Sequence, residues 1–116
     1  LVGVDRVDRS LLESGSELLL RTLRAARRRS VTVLLISCMR DFADVLESHP
    51  ALVLAKVRRV AVQGGLERDA ASPGGWKPDS SVNNGYDMAA AAAVYAFCFD
   101  RRVPLSVVSR NAVPLI

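Results

Sequence analysis

Histidine occurs once in this chain and cysteine twice, and neither Cys38 nor Cys98 stands in a Cys-x-x-Cys or Cys/His cluster. A zinc site of the usual spacing is therefore excluded, and no Ser/His/Asp or Cys/His constellation is in view for nucleophilic catalysis. Both cysteines lie in apolar segments, where a free thiol behaves as a small hydrophobe, so reduced thiols and a cytoplasmic setting are the expectation. Aromatic residues make up 5% of the chain, and none interleaves with the basic run Arg21–Ser30, so nothing there would stack bases. Glycine pairs occur at Gly64-Gly65 and Gly74-Gly75, but neither builds a G-x-G-x-x-G or a P-loop, which excludes dinucleotide and nucleotide-triphosphate sites of those kinds. No stretch is long and uncharged enough to span a bilayer, and no membrane partner is expected.

What is present is an ordinary globular composition, 50% hydrophobic and 24% charged over 116 residues, enough for one domain spanning residues 1–116. The chain opens on Leu1 and ends in the apolar "NAVPLI". Both ends read as cuts, and the expectation is an incomplete piece of a larger domain. The net charge of +4, from 16 basic against 12 acidic residues, invites a nucleic-acid reading of Arg21–Arg29. The simpler reading is the solvated, cation-bearing C-terminal end of a helix, and a nucleic-acid partner is not expected.

Apolar periodicity through Leu18, Leu19, Leu20, Leu23 and Ala26 predicts a helix with Ser16 as its N-cap. The continuous apolar run from Val31 to Ile36 predicts a strand covered on both faces. Phe42, Val45 and Leu46 share a helical face behind Asp41, and Pro50 ends that helix and opens a short second one. Val60–Val62 predict a strand stopped by Gly64-Gly65. The stretch from Leu66 to Gly85 is polar and rich in Gly, Pro, Ser and Asn, and predicts a long functional loop. Asp87 should cap a helix running through the alanines to about Phe99, and Val103, Leu105, Val107 and Val108 predict the last strand. Strands alternating with helices imply an α/β fold, a Rossmann-like, mostly parallel sheet with helices on both faces. Ligands of such sheets bind beyond the carboxyl ends of the strands. "SCMRDF" and "QGG" with the long loop fall there.

At Gln63, glycines after a strand let a backbone approach a ligand or make a tight exit turn. Asn83 and Asn84 flank a turn, or place amides over a polyhydroxylated ligand. Asp87 reads as a cap. His49 lies between two helices, and Asp41 and Asp44 read as a solvated helix face.

The run "VTVLLISCMRDFADVLESHPALVLAKVRRVAVQGG", then "SVNNGYDMAAAA" and "VPLSVVSRNAV", resembles the central portion of the inosine-uridine preferring nucleoside hydrolases, over roughly Ser16 to Val113. The resemblance implies cleavage of N-ribosyl bonds in purine or pyrimidine salvage, with a calcium ion held by an aspartate cluster. Calcium takes oxygen ligands and can activate a bound water. It places a ribose-binding asparagine at Asn83, a family glutamate at Ser81, a family methionine at Gln63, and a calcium-binding main-chain carbonyl at Arg40. Asn84 stands beside Asn83 as a further substrate-side candidate. The family's Asp-x-Asp cluster has no counterpart, because Asp5 and Asp8 lack the spacing, so calcium in this chain is doubtful. Two functions remain: a nucleoside hydrolase-like protein whose complete form hydrolyses ribonucleosides, or an inactive member of the fold serving in binding or assembly. No catalytic residue is assigned within the chain. A small ribosyl molecule is the expected ligand, and a homo-oligomer is compatible with the reading.

Overall fold

A computed structural model describes residues 8–112. Asp5 and the residues from 113 on lie outside the described residues. The elements run α1 (Gly15–Ala25), β1 (Val31–Leu35), α2 (Arg40–Ser48), α3 (Pro50–Lys56), β2 (Val57–Gly64), β3 (Leu66–Arg68), β4 (Trp76–Pro78), α4 (Val82–Tyr86), α5 (Met88–Asp100) and β5 (Leu105–Ser109).

The main sheet has the order β1-β2-β5 and is parallel throughout, with Leu34 opposite Ala61 and Val62 opposite Val107. This is the expected α/β sheet flanked by helices. Side chains alternate across a strand. Val33, Val60 and Val62 join one core with Leu23 of α1, Phe42, Val45 and Leu46 of α2, Val53 of α3, and Ala90, Val94 and Cys98 of α5. The helices of the described residues thus gather on one face, and Leu34 and Val108 on the other face are exposed, so β1, expected to be covered on both faces, is covered on one among the described residues. At the start of α5 the inner side is alanine, which lets it lie close to its neighbours: Ala90 and Ala91 are fully buried, ahead of Val94, Tyr95 and Cys98, and α5 packs against α2 and α4.

Several expectations change. The N-cap of α1 is Ser14, whose Oγ accepts from Glu17 N at 3.2 Å. Ser14 with Glu17 three residues later is the capping-box spacing, which Ser16 lacks. The helix ends at Ala25, so Arg27–Arg29 lie in the turn leading to β1 and not on a helix. Leu18 is exposed, because the buried side of α1 runs through Leu19, Leu20 and Leu23. The stretch after Gly65 is not an irregular loop. β3 and β4 pair as an antiparallel ribbon, with Leu66 opposite Pro78 and Arg68 opposite Trp76. Gly74 and Gly75 take φ values of +67° and +81°, which favour glycine and turn the chain back against Phe99. The Arg68 guanidinium lies 4.8 Å from the Trp76 ring centre and closes the ribbon. Asp69 orders the turn by accepting from Ala71 N and Ser72 Oγ.

Candidate functional site at the carboxyl ends of the strands

Parallel strands bring the β1–α2 turn, the end of β2 and the segment from Asp79 to Met88 to one end of the sheet. Arg40, the first residue of α2, faces Asp87, the N-cap of α5. Its Nε and Nη2 donate to Asp87 Oδ2 and Oδ1 at 2.8 and 3.0 Å, and its Nη1 donates to Asp44 Oδ1 at 3.2 Å. Asp87 Oδ1 also accepts from Ala90 N at 3.0 Å. The guanidinium first, and the helix N–H second, hold the Asp87 carboxyl down at about 2, while the two carboxylates push Arg40 further up. Asp87 therefore does more than cap a helix. It also ties α5 to α2.

Behind this pair lies a buried polar knot. Asn84 is fully buried. Its Nδ2 donates to Gly65 O at 2.9 Å and to Asp79 O and Oδ1, both at 3.2 Å, and its Oδ1 accepts from the Tyr95 hydroxyl at 3.0 Å. Gly65 N donates to the Tyr95 oxygen at 3.4 Å. Burial raises the Tyr95 hydroxyl pKa, partly opposed by these hydrogen bonds. Side chains at this knot leave no room beside β2: a Cβ on Gly64 would stand 2.4 Å from the Tyr95 oxygen and 2.8 Å from Asn84 Oδ1.

The residues expected at the site separate accordingly. Asn84 is a structural amide with its hydrogen-bonding capacity spent inside, so its placement among ligand contacts is corrected by its burial. Asn83, one position earlier, is half-buried and donates through Nδ2 to Gln63 O at 2.9 Å. Among the described residues one N–H and the Oδ1 of that amide make no further hydrogen bond and can face a ligand. The Gln63 side chain is exposed beside it. Ser81 precedes α4, is buried, and its N–H donates to Asp79 Oδ1 at 2.9 Å, while its Oγ has no partner among the described residues. Arg40 opens α2, where a main-chain carbonyl points down the helix axis; its side chain is what faces the strand ends. Cys38, expected in an apolar setting, is exposed in the β1–α2 turn; Cys98 is buried and its thiol is pushed up to about 12 by desolvation. His49 Nδ1 lies 2.7 Å from Ser48 Oγ at the opposite end of α2.

Tyr95, Asp79 and the Arg40 side chain were missed from the sequence. Tyr95 had a signal, as a polar tip on an otherwise apolar helix face. The Arg40–Asp87 pair spans 47 residues and had none. Among the described residues no group of three or more His, Cys, Asp or Glu could hold a metal ion. The two carboxylates that approach each other here, Asp44 and Asp87, already share a guanidinium, so this donor set does not fit calcium. An apolar groove of about 290 Å³ between α1 and β1, lined among others by Leu18, Leu23 and Leu34, lacks convergent polar groups. Among the described residues no helix is long and apolar enough to cross a membrane.

No family model matches the chain, and no curated protein matches it. Among solved structures it is similar to the type III effector protein XopQ, in a crystal structure complexed with adenosine diphosphate ribose, at 27% identity and a TM-score of 0.73. That match covers 83% of this chain and 28% of XopQ. The effector protein XOO4466 matches at 26% identity and a TM-score of 0.72, over 84% of this chain and 27% of that one. The chain thus spans little more than a quarter of each neighbour. It has the nucleoside hydrolase-like α/β fold that these neighbours share.

Proposed function

We propose that the carboxyl end of the sheet binds an N-ribosyl ligand of the ADP-ribose class, through Asn83 and Gln63, in a nucleoside hydrolase-like module that does not itself carry out calcium-dependent hydrolysis. The observation that carries this reading is the free edge of the Asn83 amide. With one N–H anchored on Gln63 O, the remaining N–H and Oδ1 offer a donor and an acceptor that can serve ribose hydroxyls. The complex of XopQ with adenosine diphosphate ribose supports the ligand class. The sharing of Arg40 between Asp44 and Asp87 supports a site that works without calcium, because the place where carboxylates converge already holds a cation.

The test is a thermal-shift and calorimetric titration with ADP-ribose, ribose, inosine and uridine, each with calcium and with a chelator. ADP-ribose should raise the melting temperature equally in both conditions, as ligand binding to the native state does. Asn83→Ala should remove the rise and leave the unliganded melting temperature nearly unchanged. Release of free base from inosine or uridine on addition of calcium would overturn the non-hydrolytic reading. No shift with any ribosyl compound would overturn the binding reading.

A further inference from the structure

The opposite end of the sheet has a different character. Arg27, Arg28 and Arg29 fill the turn before β1, Arg58 and Arg59 lie near the start of β2, and Arg101 and Arg102 form the turn before β5. Parallel pairing sets these three segments side by side: Arg29 N donates to Ala55 O at 2.9 Å, Ser30 N to Lys56 O at 3.0 Å, and Val60 N to Pro104 O at 2.9 Å. A bulge helps. Val31 pairs with Val57 and Thr32 with Arg59, so Arg58 is the extra residue and two consecutive arginines are exposed. All seven arginines are exposed, and none makes a salt bridge among the described residues. Asp100 is the one acidic residue in these segments. The Lys56 ammonium is engaged separately, on the main-chain carbonyls of Arg24 and Ala26.

Two of these arginines occupy backbone positions suited to glycine. Arg29 and Arg102 have φ values of 52° and 55°, and they are the described non-glycine residues with positive φ. Side chains rarely take this conformation. Both turns therefore carry a cation where the backbone favours glycine.

We propose that this arginine-rich end is a binding surface for the phosphate backbone of a nucleic acid, read by charge and not by base. Neighbouring strands lie about 4.8 Å apart, so the row from β1 to β5 is about 10 Å wide. Each strand of a duplex carries one phosphate per ~3.4 Å of helix axis, and the row with its side-chain reach meets about four of them. Guanidinium forks match phosphate oxygens bidentately. The occupant is a polyphosphate chain because the surface offers charge alone. The exposed large apolar residues, Leu11, Leu12, Leu18, Leu34, Ile36, Val82, Tyr86, Met88 and Val108, all lie outside these turns. A bilayer would call for an apolar wedge here, and an acidic polypeptide for an anchoring pocket. The sequence argued against nucleic acid because Arg21–Arg29 read as the solvated end of a helix with no aromatic residue among them; the fold takes Arg27–Arg29 off the helix and sets Arg58, Arg59, Arg101 and Arg102 beside them.

The experiment is a fluorescence-anisotropy titration of a mixed-sequence 30-nucleotide DNA, single-stranded and duplex, at 50 and 200 mM salt. Neutralising about four phosphates should make affinity fall about 50- to 150-fold between the two salt concentrations. Arg27→Ser/Arg28→Ser/Arg58→Ser/Arg101→Ser should weaken binding at least tenfold, and the charge-matched Arg9→Ser/Arg21→Ser/Arg68→Ser/Arg110→Ser should weaken it less than threefold. Arg29→Gly/Arg102→Gly removes two cations while easing the backbone, so it should melt no lower than the parent and still bind more weakly. Loss of affinity equal in the two fourfold variants would reduce the effect to net charge and overturn the proposal. Absence of binding to either DNA, or binding confined to phosphatidylserine vesicles or polyglutamate, would overturn it as well.

Discussion

Asp87 and Arg40, from the start of α5 and the start of α2, meet in a two-point contact of 2.8 and 3.0 Å, and the same aspartate caps α5 on Ala90 N. One carboxylate thereby sets where the alanine-rich helix begins and how it sits against its neighbour. Alanine supplies helix propensity but little bulk, so the polar contact fixes a helix that packing alone would leave less constrained.

The pH dependence of that contact has a definite sign. Asp87 is held at about 2 in the folded chain against 3.8 for a free side chain. A depressed folded-state pKa contributes stability that is fully present above the unfolded value and fades as pH falls through the folded one. The stability difference between the parent and Asp87→Asn should be flat above pH 5 and shrink between pH 4 and pH 2. Urea unfolding across that range reads it directly. A difference that grows on acidification would contradict the assignment.

Asn84 and Asn83 should separate when each is changed to alanine. Asn84→Ala strips a buried knot of its amide and leaves the Tyr95 O–H without its acceptor, while Gly65 O keeps the Asp79 N–H at 3.1 Å. A buried group left unsatisfied costs about 1–3 kcal/mol, so the loss should fall in that range in chemical denaturation. Asn83→Ala removes one hydrogen bond at a more exposed position and should cost under about 1 kcal/mol.

Gly64→Ala should be destabilising by about 1–3 kcal/mol, the range for an intruding group in a packed interior. Its Cβ would meet the Tyr95 oxygen at 2.4 Å. In a Tyr95→Phe background the same substitution should cost less, because the nearest atom it strikes is gone and the contact with Asn84 Oδ1 at 2.8 Å remains. Equal costs in both backgrounds would place the strain elsewhere.

The two cysteines should differ in reactivity. Cys38 is exposed and Cys98 is buried, with its thiol at about 12. Only the thiolate reacts. At pH 7.5 a thiol reagent should modify Cys38 within minutes in native protein and reach Cys98 only on unfolding, as peptide mass mapping will show.

Local patterning carried much of the fold. The strands around Val31–Leu35, Val60–Val62 and Leu105–Val108, the proline at the start of α3, and Asp87 ahead of the alanines were all legible, because periodicity, caps and breakers act over a few residues. The N-cap of α1 is written in the spacing of Ser14 and Glu17, although apolar periodicity alone points to Ser16. Tertiary structure decided the rest. A one-residue step along the short α4 separates Asn83 from Asn84, and no local rule says which amide the core will take. Arg40 finds Asp87 across 47 residues. The stretch after Gly65 becomes a ribbon because Arg68 can lie over Trp76 and Gly74 can turn against Phe99. The arginines of three distant turns share one surface because parallel strands put all their amino ends on the same side. Each of these depends on which segments the parallel sheet brings together, and that is a property of the whole chain.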